Sequence, residues 1–333
     1  MRLVRAPVLA SKIPNSVDRE LLAWAAGFFD GEGTTIARSD RRRPNYFELE
    51  VSVSQSGPDG VPEVLSKFQR AMFGVGTNYP QPGAMVKWDS RGRAIAEMAL
   101  ALMWPWLGSV KKEQAQRAID LVDRQYDDGV YQRRRSRYLP GLIAHPIANA
   151  SDALREDLAW AAGFLDGEGY FGLPKAYERV DGSVGFVLRA SATQHSRDES
   201  HPEVLVKLQR VLGIGRIDRH GEPDTFKWIA EGAVNVRAIV ERLSPWLGSV
   251  KLTQASAAIA VATTARQRGD SERCVRGHLY DRVDVRPNGN IHRRCSTCDR
   301  QRDRQKRLEQ GIRPRAFKHP ERRLQEDALP YAA

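Results

Sequence analysis

The sequence is poor in cysteine, in long apolar runs and in acids relative to bases, and each shortage removes a class of protein. Three cysteines in 333 residues cannot build the disulfide framework of a small secreted scaffold. The longest apolar run, Met98 to Leu107, is ten residues and contains Pro105, whereas a membrane-spanning helix needs roughly 20 residues. The opening stretch MRLVRAPVLASKIPNS lacks the sustained apolar segment of a secretory signal. These absences predict an intracellular, cytoplasmic protein. Acids number 41 against 52 Lys and Arg, a formal charge of +11, and such a surplus favours a polyanionic partner, above all nucleic acid associated with a nucleoid or phage genome. What remains is 41% hydrophobic and 28% charged, a composition that folds.

The length exceeds what one hydrophobic core usually serves, and the chain repeats itself. LLAWAAGFFDGEG at 21–33 returns as DLAWAAGFLDGEG at 157–169, an offset of 136. PEVLSKFQR at 62–70 returns as PEVLVKLQR at 202–210, Lys87-Trp88 as Lys227-Trp228, and PWLGSVK at 105–111 as the same string at 245–251, all at an offset of 140. That period is too long for solenoid units of roughly 20–50 residues, so it predicts a duplicated domain with an internal pseudo-twofold axis, in a monomer.

Each half reads as a helix, strands, then helices. Ser16 and Ser151 are the expected helix caps, and the Gly31/Gly33 and Gly167/Gly169 pairs the expected stops. Residues 45–55 and 184–194 alternate polar and apolar side chains, the pattern of a half-exposed strand. The expected divisions are 17–125 and 151–266 for the repeats, 126–150 for an arginine-rich linker, 270–307 for a small basic module and 308–333 for a charged tail.

Glu32 and Glu168 fall at the ends of the two repeated helices, where the macrodipole disfavours a carboxylate. Small residues on the same helices, Ala25, Ala26 and Gly27 with Ala161, Ala162 and Gly163, allow close backbone approach. If the helices pair about the pseudo-twofold, both glutamates converge and repel unless hard divalent cations bridge them. Metal-assisted phosphodiester hydrolysis is the chemistry such a pair supports.

AAGFFDGEG at 25–33 and AAGFLDGEG at 161–169 resemble the two motifs of a single-chain LAGLIDADG homing endonuclease. The resemblance covers roughly 17–266 and implies an α+β fold: duplicated α-β-β-α-β-β-α domains in pseudo-twofold arrangement. It implies that Glu32 and Glu168 bind catalytic Mg2+ or Mn2+, while Asp30 and Asp166 are structural. It also implies catalytic roles for Gln55 and Gln194, at the ends of VSVSQ and ASATQ, and for Lys111 and Lys251. A lysine there would stabilise charge on the phosphate and a glutamine would orient the attacking water.

The open strand faces are the expected DNA saddle. By parity Glu48, Glu50, Ser52 and Ser54 share one face, and Val187, Arg189, Ser191 and Thr193 the equivalent one; Lys87 and Lys227, of the recurring Lys-Trp pair, are further expected DNA contacts. Faces that differ on matched scaffolds predict an asymmetric duplex target read in the major groove. Arg38, Arg41, Arg42 and Arg43 are expected phosphate contacts.

All three cysteines fall in a Cys-x3-His-x16-Cys-x2-Cys array, Cys274, His278, Cys295 and Cys298. Thiolates with one imidazole suit structural zinc; His292 is an alternative ligand. The segment resembles the small zinc-binding modules attached to phage and bacterial endonucleases. From Arg273 to Arg307 eleven basic residues face four acids, which suits a DNA grip. The whole reads as a site-specific, metal-dependent DNA endonuclease with a zinc-stabilised extension. An intron maturase or a non-catalytic DNA-binding regulator on the same fold is the alternative.

Overall fold

The computed structural model describes residues 17–127 and 150–310, apart from 41, 174–176, 179–183, 186, 197–199, 222–223, 270–273, 275 and 286–290. Most of the expected linker and tail therefore lies outside the described residues, as do Ser16 and Arg41. The chain divides into two compact units, 1–264 and 265–333.

The first repeat runs α1 (Arg19–Glu32), β1 (Gly33–Asp40), β2 (Arg43–Ser56), α2 (Glu63–Ala71), β3 (Thr77–Gln81), β4 (Met85–Arg91), α3 (Arg93–Met103) and α4 (Ser109–Asp127). The second runs α5 (Ala150–Glu168), β5 (Gly169–Gly172), β6 (Tyr177–Glu178), β7 (Val184–Gly185), β8 (Arg189–His195), α6 (Glu203–Leu212), β9 (Arg216–Arg219), β10 (Thr225–Glu231), α7 (Ala233–Leu243) and α8 (Ser249–Gly269). The expected α-β-β-α-β-β-α order is present in both repeats, each with an additional closing helix, and the second also carries the short two-stranded ribbon β6-β7 between β5 and β8. Both main sheets are four-stranded and antiparallel, ordered β1-β2-β4-β3 and β5-β8-β10-β9. Among the described residues no helix is long and apolar enough to cross a membrane.

Several local expectations are corrected. Asp18, not Ser16, caps α1, its carboxylate accepting from the Leu21 N–H at 2.9 Å. Ser151 lies inside the first turn of α5 rather than ahead of it. Nor do the glycines stop the helices through a left-handed residue. Gly31 and Gly167 are helical, and Gly33 is extended at φ −78 and ψ 150, pairing at once with Val53. A Cβ on Gly33 would lie 2.3 Å from the Phe29 ring, so glycine is needed for the abrupt passage from helix to strand. The expected strand 184–194 is described as two, β7 and β8, and the last ladder pairs of β8 are Gly172↔Arg189 and Glu231↔Arg189.

One face of each sheet packs on the helices. In the first repeat Leu49, Val51, Val53, Val86 and Trp88 are buried there; in the second, Ala190, Ala192, Phe226 and Trp228. Trp24, Phe28, Phe68 and Trp88 form a continuous aromatic column with ring centroids 4.9–5.8 Å apart. The repeats meet along α1 and α5. A Cβ on Gly27 would lie 1.9 Å from the Trp160 carbonyl oxygen, and one on Gly163 would lie 1.9 Å from that of Trp24, so the two backbones are in contact.

That contact is sealed by interactions exchanged between equivalent positions, as a twofold interface requires. Arg19 pairs with Glu156 and Arg155 with Glu20, each at 2.5 Å. Trp106 Nε1 donates to Glu156 and Trp246 Nε1 to Glu20, each at 2.9 Å.

Candidate active site and nucleic-acid interface

The crossing of α1 and α5 sets the geometry of their last residues. A Cβ on Gly31 would stand 2.9 Å from Glu168 Cγ, and one on Gly167 would stand 2.9 Å from Glu32 Cγ. Each glutamate therefore lies across the other helix's glycine, and the two carboxylates converge. The Gln55 amide hydrogen-bonds Glu32, and the Gln194 amide hydrogen-bonds Glu168. Lys111 Nζ donates to the Gly33 carbonyl at 2.5 Å and Lys251 Nζ to the equivalent carbonyl of Gly169. Both ammonium groups act electrostatically on both glutamates. All six residues expected from the resemblance thus gather at one place.

The electrostatics there are unbalanced. Burial, reinforced by the Glu32 charge, pushes Glu168 up to about 7; burial also raises Glu32, against Gln55, Lys251 and Lys111. Burial lowers both lysines. The two cations do not fully offset the burial of the two converging carboxylates. The cluster's donors are hard oxygens, the ligand type of Mg2+ and Mn2+ rather than of softer metals.

Asp30 and Asp166 point the other way, into the core. Asp30 accepts from Trp160 Nε1 at 2.8 Å and from the Gly108 N–H at 3.0 Å; Asp166 accepts from Trp24 Nε1 at 2.8 Å and from the Gly248 N–H at 2.9 Å. Burial raises both to about 6. Beside them sit Lys207 and Lys67, 3.9 and 4.0 Å from the Trp160 and Trp24 ring centroids, donating to the carbonyls of Trp106 and Trp246. Sequence reasoning gave these lysines no part. Their only signal was recurrence within PEVLSKFQR and PEVLVKLQR.

The sheet faces turned away from the core carry the expected saddle residues unequally. Glu50, Ser52 and Ser191 are buried; Glu48, Ser54, Lys87, Arg189, Thr193 and Lys227 are half-buried. Val187 precedes β8 and is not on a strand. Glu50 is covered by Lys87 and by Arg38 at 3.3 Å, and although burial raises it, these two cations leave it lowered overall. Of the remaining expected phosphate contacts, Arg42 is exposed, and Arg43 lies 4.0 Å from the Tyr46 ring centroid.

The second unit comprises the hairpin β11 (Arg282–Val285) and β12 (Ile291–Arg294) followed by α9 (Ser296–Glu309). Gly277, at φ +83, makes the tight turn that brings Cys274 and His278 together, its N–H donating to the Cys274 carbonyl at 2.8 Å. Cys295 caps α9 and Cys298 follows within its first turn. The four ligand atoms lie within 4.8 Å of one another, with Cys274 Sγ, Cys298 Sγ and His278 Nδ1 separated by 3.4–3.6 Å. Tetrahedral zinc, with bonds of about 2.0–2.3 Å, sets its ligands roughly 3.5–3.8 Å apart, close to the spacing of Cys274, His278 and Cys298, with Cys295 within 4.8 Å of them. The side chain of His292 lies outside the described residues. No residue of α9 is buried, and Arg300, Arg302, Arg304, Lys306 and Arg307 are all exposed.

Comparison with solved structures places this arrangement. The LAGLIDADG meganuclease I-AabMI bound to uncleaved DNA is 16% identical, with a TM-score of 0.56 over 74% of this chain and 92% of that one. The I-LtrWI LAGLIDADG homing endonuclease bound to target DNA is 14% identical, with a TM-score of 0.55 over 75% and 92%. The I-SmaMI LAGLIDADG homing endonuclease bound to cleaved DNA is 17% identical, with a TM-score of 0.52 over 74% and 90%. No family model and no curated protein matches the chain. With its two four-stranded sheets joined along a glycine-lined helix pair, the core of this chain has the LAGLIDADG homing endonuclease fold, present twice in one polypeptide.

Proposed function

We propose that the chain is a site-specific endonuclease that cuts both strands of duplex DNA at a long asymmetric site. The observation that carries this reading is the cluster at the end of α1 and α5: two converging carboxylates, each with its own glutamine and lysine. One such set serves each strand.

Glu32 and Glu168 would hold Mg2+ or Mn2+, which when bound supplies charge neutralisation and an acidified water. Lys111 and Lys251 neutralise charge that builds on the phosphate oxygens during displacement. Gln55 and Gln194 hold the glutamates in place and present an amide to the attacking water. Asp30 and Asp166 are positioning residues. They fix the starts of α4 and α8, and hence Lys111 and Lys251, relative to the opposite repeat's tryptophan. The saddle faces and the basic sheet edge would hold the duplex, with the protein acting as a monomer. In the second unit Cys274, His278, Cys295 and Cys298 would hold zinc as a structural cross-link, and α9 would add phosphate contacts.

The test is incubation of the purified chain and Mg2+ with a randomised duplex library, followed by sequencing of cleaved ends. Recovery of paired breaks at one recurring asymmetric sequence supports the reading. Sequence-selective binding without cleavage overturns it in favour of a regulator.

A further inference from the structure

The outer face of the first sheet holds an arginine in an unusually constrained position. Arg91, at the end of β4, has a half-exposed side chain, whereas Asp89, two residues before it on the same face, is buried. Arg91 Nε donates to Asp89 Oδ2 at 3.0 Å, and Nη2 donates to the Tyr79 hydroxyl at 3.2 Å. The Tyr79 hydroxyl in turn donates to Asp89 Oδ2 at 2.7 Å. These contacts close a ring and fix the guanidinium plane. They engage Nε and one hydrogen of Nη2, so the end-on pair, Nη1 with the second hydrogen of Nη2, keeps two parallel donors for an outside acceptor.

Stability does not account for this arrangement, since exposed arginine–carboxylate pairs add little and burying Asp89 carries a desolvation cost. A rigid fork suits a phosphate as well as a base, but β4 is an inner strand of its sheet, away from the edge where the phosphate contacts are expected. On the sheet face that the duplex-DNA reading lays against the bases, a planar fork held rigid matches the O6 and N7 acceptors that guanine presents in the major groove.

The second repeat supplies an internal comparison. In β2 and β4 Glu50 stands opposite Arg91; at the equivalent ladder position in β8 and β10, Arg189 stands opposite Glu231. The charges are exchanged between strands. Arg189 is now the held group, donating to Glu231 from Nε at 3.1 Å and from Nη2.

We propose that Arg91 is a specificity-determining residue that reads a guanine in the half-site under the first repeat, with Asp89 and Tyr79 as its positioning residues. Arg189 reads from the neighbouring strand of the second sheet, so the two half-sites differ in where guanine is required. This deepens the duplex-DNA reading above and rests on it.

The experiment is selection of bound duplexes from a randomised library by the full chain in Ca2+, with sequencing of the bound pool for wild type, Arg91→Lys, Arg91→Ala, Asp89→Asn and Arg189→Lys. The wild-type pool is expected to require guanine at one position of one half-site. Arg91→Lys keeps the charge but loses the fork. It should retain overall affinity within a few-fold while guanine preference at that position falls on the order of 10- to 100-fold. Asp89→Asn should give a smaller loss at the same position, and Arg189→Lys a loss at a different one. If both Arg91 variants bind with wild-type base preferences, even if uniformly more weakly, Arg91 is a phosphate contact and the proposal is overturned. If the wild-type chain enriches no sequence at all, the DNA-binding reading itself fails, and the proposal with it.

Discussion

Glu168 ionises near 7 in the folded chain, against an ordinary 4.5, because burial and the Glu32 charge disfavour its carboxylate. Between those values the folded chain holds a proton that the unfolded chain has released, so stability falls as pH rises through that window. The penalty is complete above about 7 and absent below about 4.5. Glu168→Gln removes it, worth about 1–3 kcal/mol, and should raise Tm at pH 8 in EDTA, with the gain shrinking towards zero by pH 4. A gain of equal size at both pH values contradicts the assigned burial and repulsion. Such a penalty is what a site that trades stability for function carries. Glu32 and Glu168 stood out in the sequence as carboxylates at the ends of two repeated helices, whereas their glutamines and lysines were singled out by the family resemblance together with their recurrence in both halves. Lys67, Lys207 and the tryptophan–aspartate bonds recur too, but their role depends on crossing from one repeat to the other, which a linear pattern does not display. Parity correctly placed Glu50 off the core face; it could not reveal that Lys87 and Arg38 would close over it.

The α1–α5 pair depends on two glycines that tolerate no side chain. Gly27→Ala would drive a methyl group to 1.9 Å from the Trp160 carbonyl oxygen, backbone that cannot yield without separating the helices. A loss of about 3 kcal/mol or more, the upper end of overpacking costs, is expected in denaturant or thermal unfolding. Gly213→Ala serves as the control, since its Cβ would meet nothing within 4 Å and only its φ of +64 is strained, which costs about 1 kcal/mol. Equal losses for the two would show that the close contact does not hold the repeats together. Helix existence and strand alternation were readable from the apolar period, but the form of the boundaries was not. Gly33 and Gly169 do end the two helices as read, but by passing straight into a strand, Gly33 being extended rather than left-handed. Residues 184–194 were read as one strand, yet the ladder of β8 with β5 and β10 extends only from Arg189 onward.

The two units should make separable contributions to DNA binding. Cys295→Ser removes a thiolate from the candidate zinc group, so bound zinc should be lost and residues 274–298 should unfold while the two-repeat core stays folded. A chain ending near Arg268 lacks the exposed basic row of α9 and should bind duplex DNA more weakly across all sequences, with a shallower dependence on salt. Superimposable salt slopes for the short and full chains would show that the extension does not touch DNA. Duplication, charge and the cysteine array made this organisation legible. Which arginines are held rigid and which acids are buried depends on sheet register. The decisive measurement for the active-site assignment compares wild type, Glu32→Gln and Glu168→Gln on the duplex recovered from the library, scoring cleavage in Mg2+ and binding in Ca2+ in parallel. Each variant is expected to bind within a few-fold of wild type and to make no double-strand breaks. Undiminished double-strand cleavage by either would contradict the assignment of the paired carboxylates as the catalytic centre.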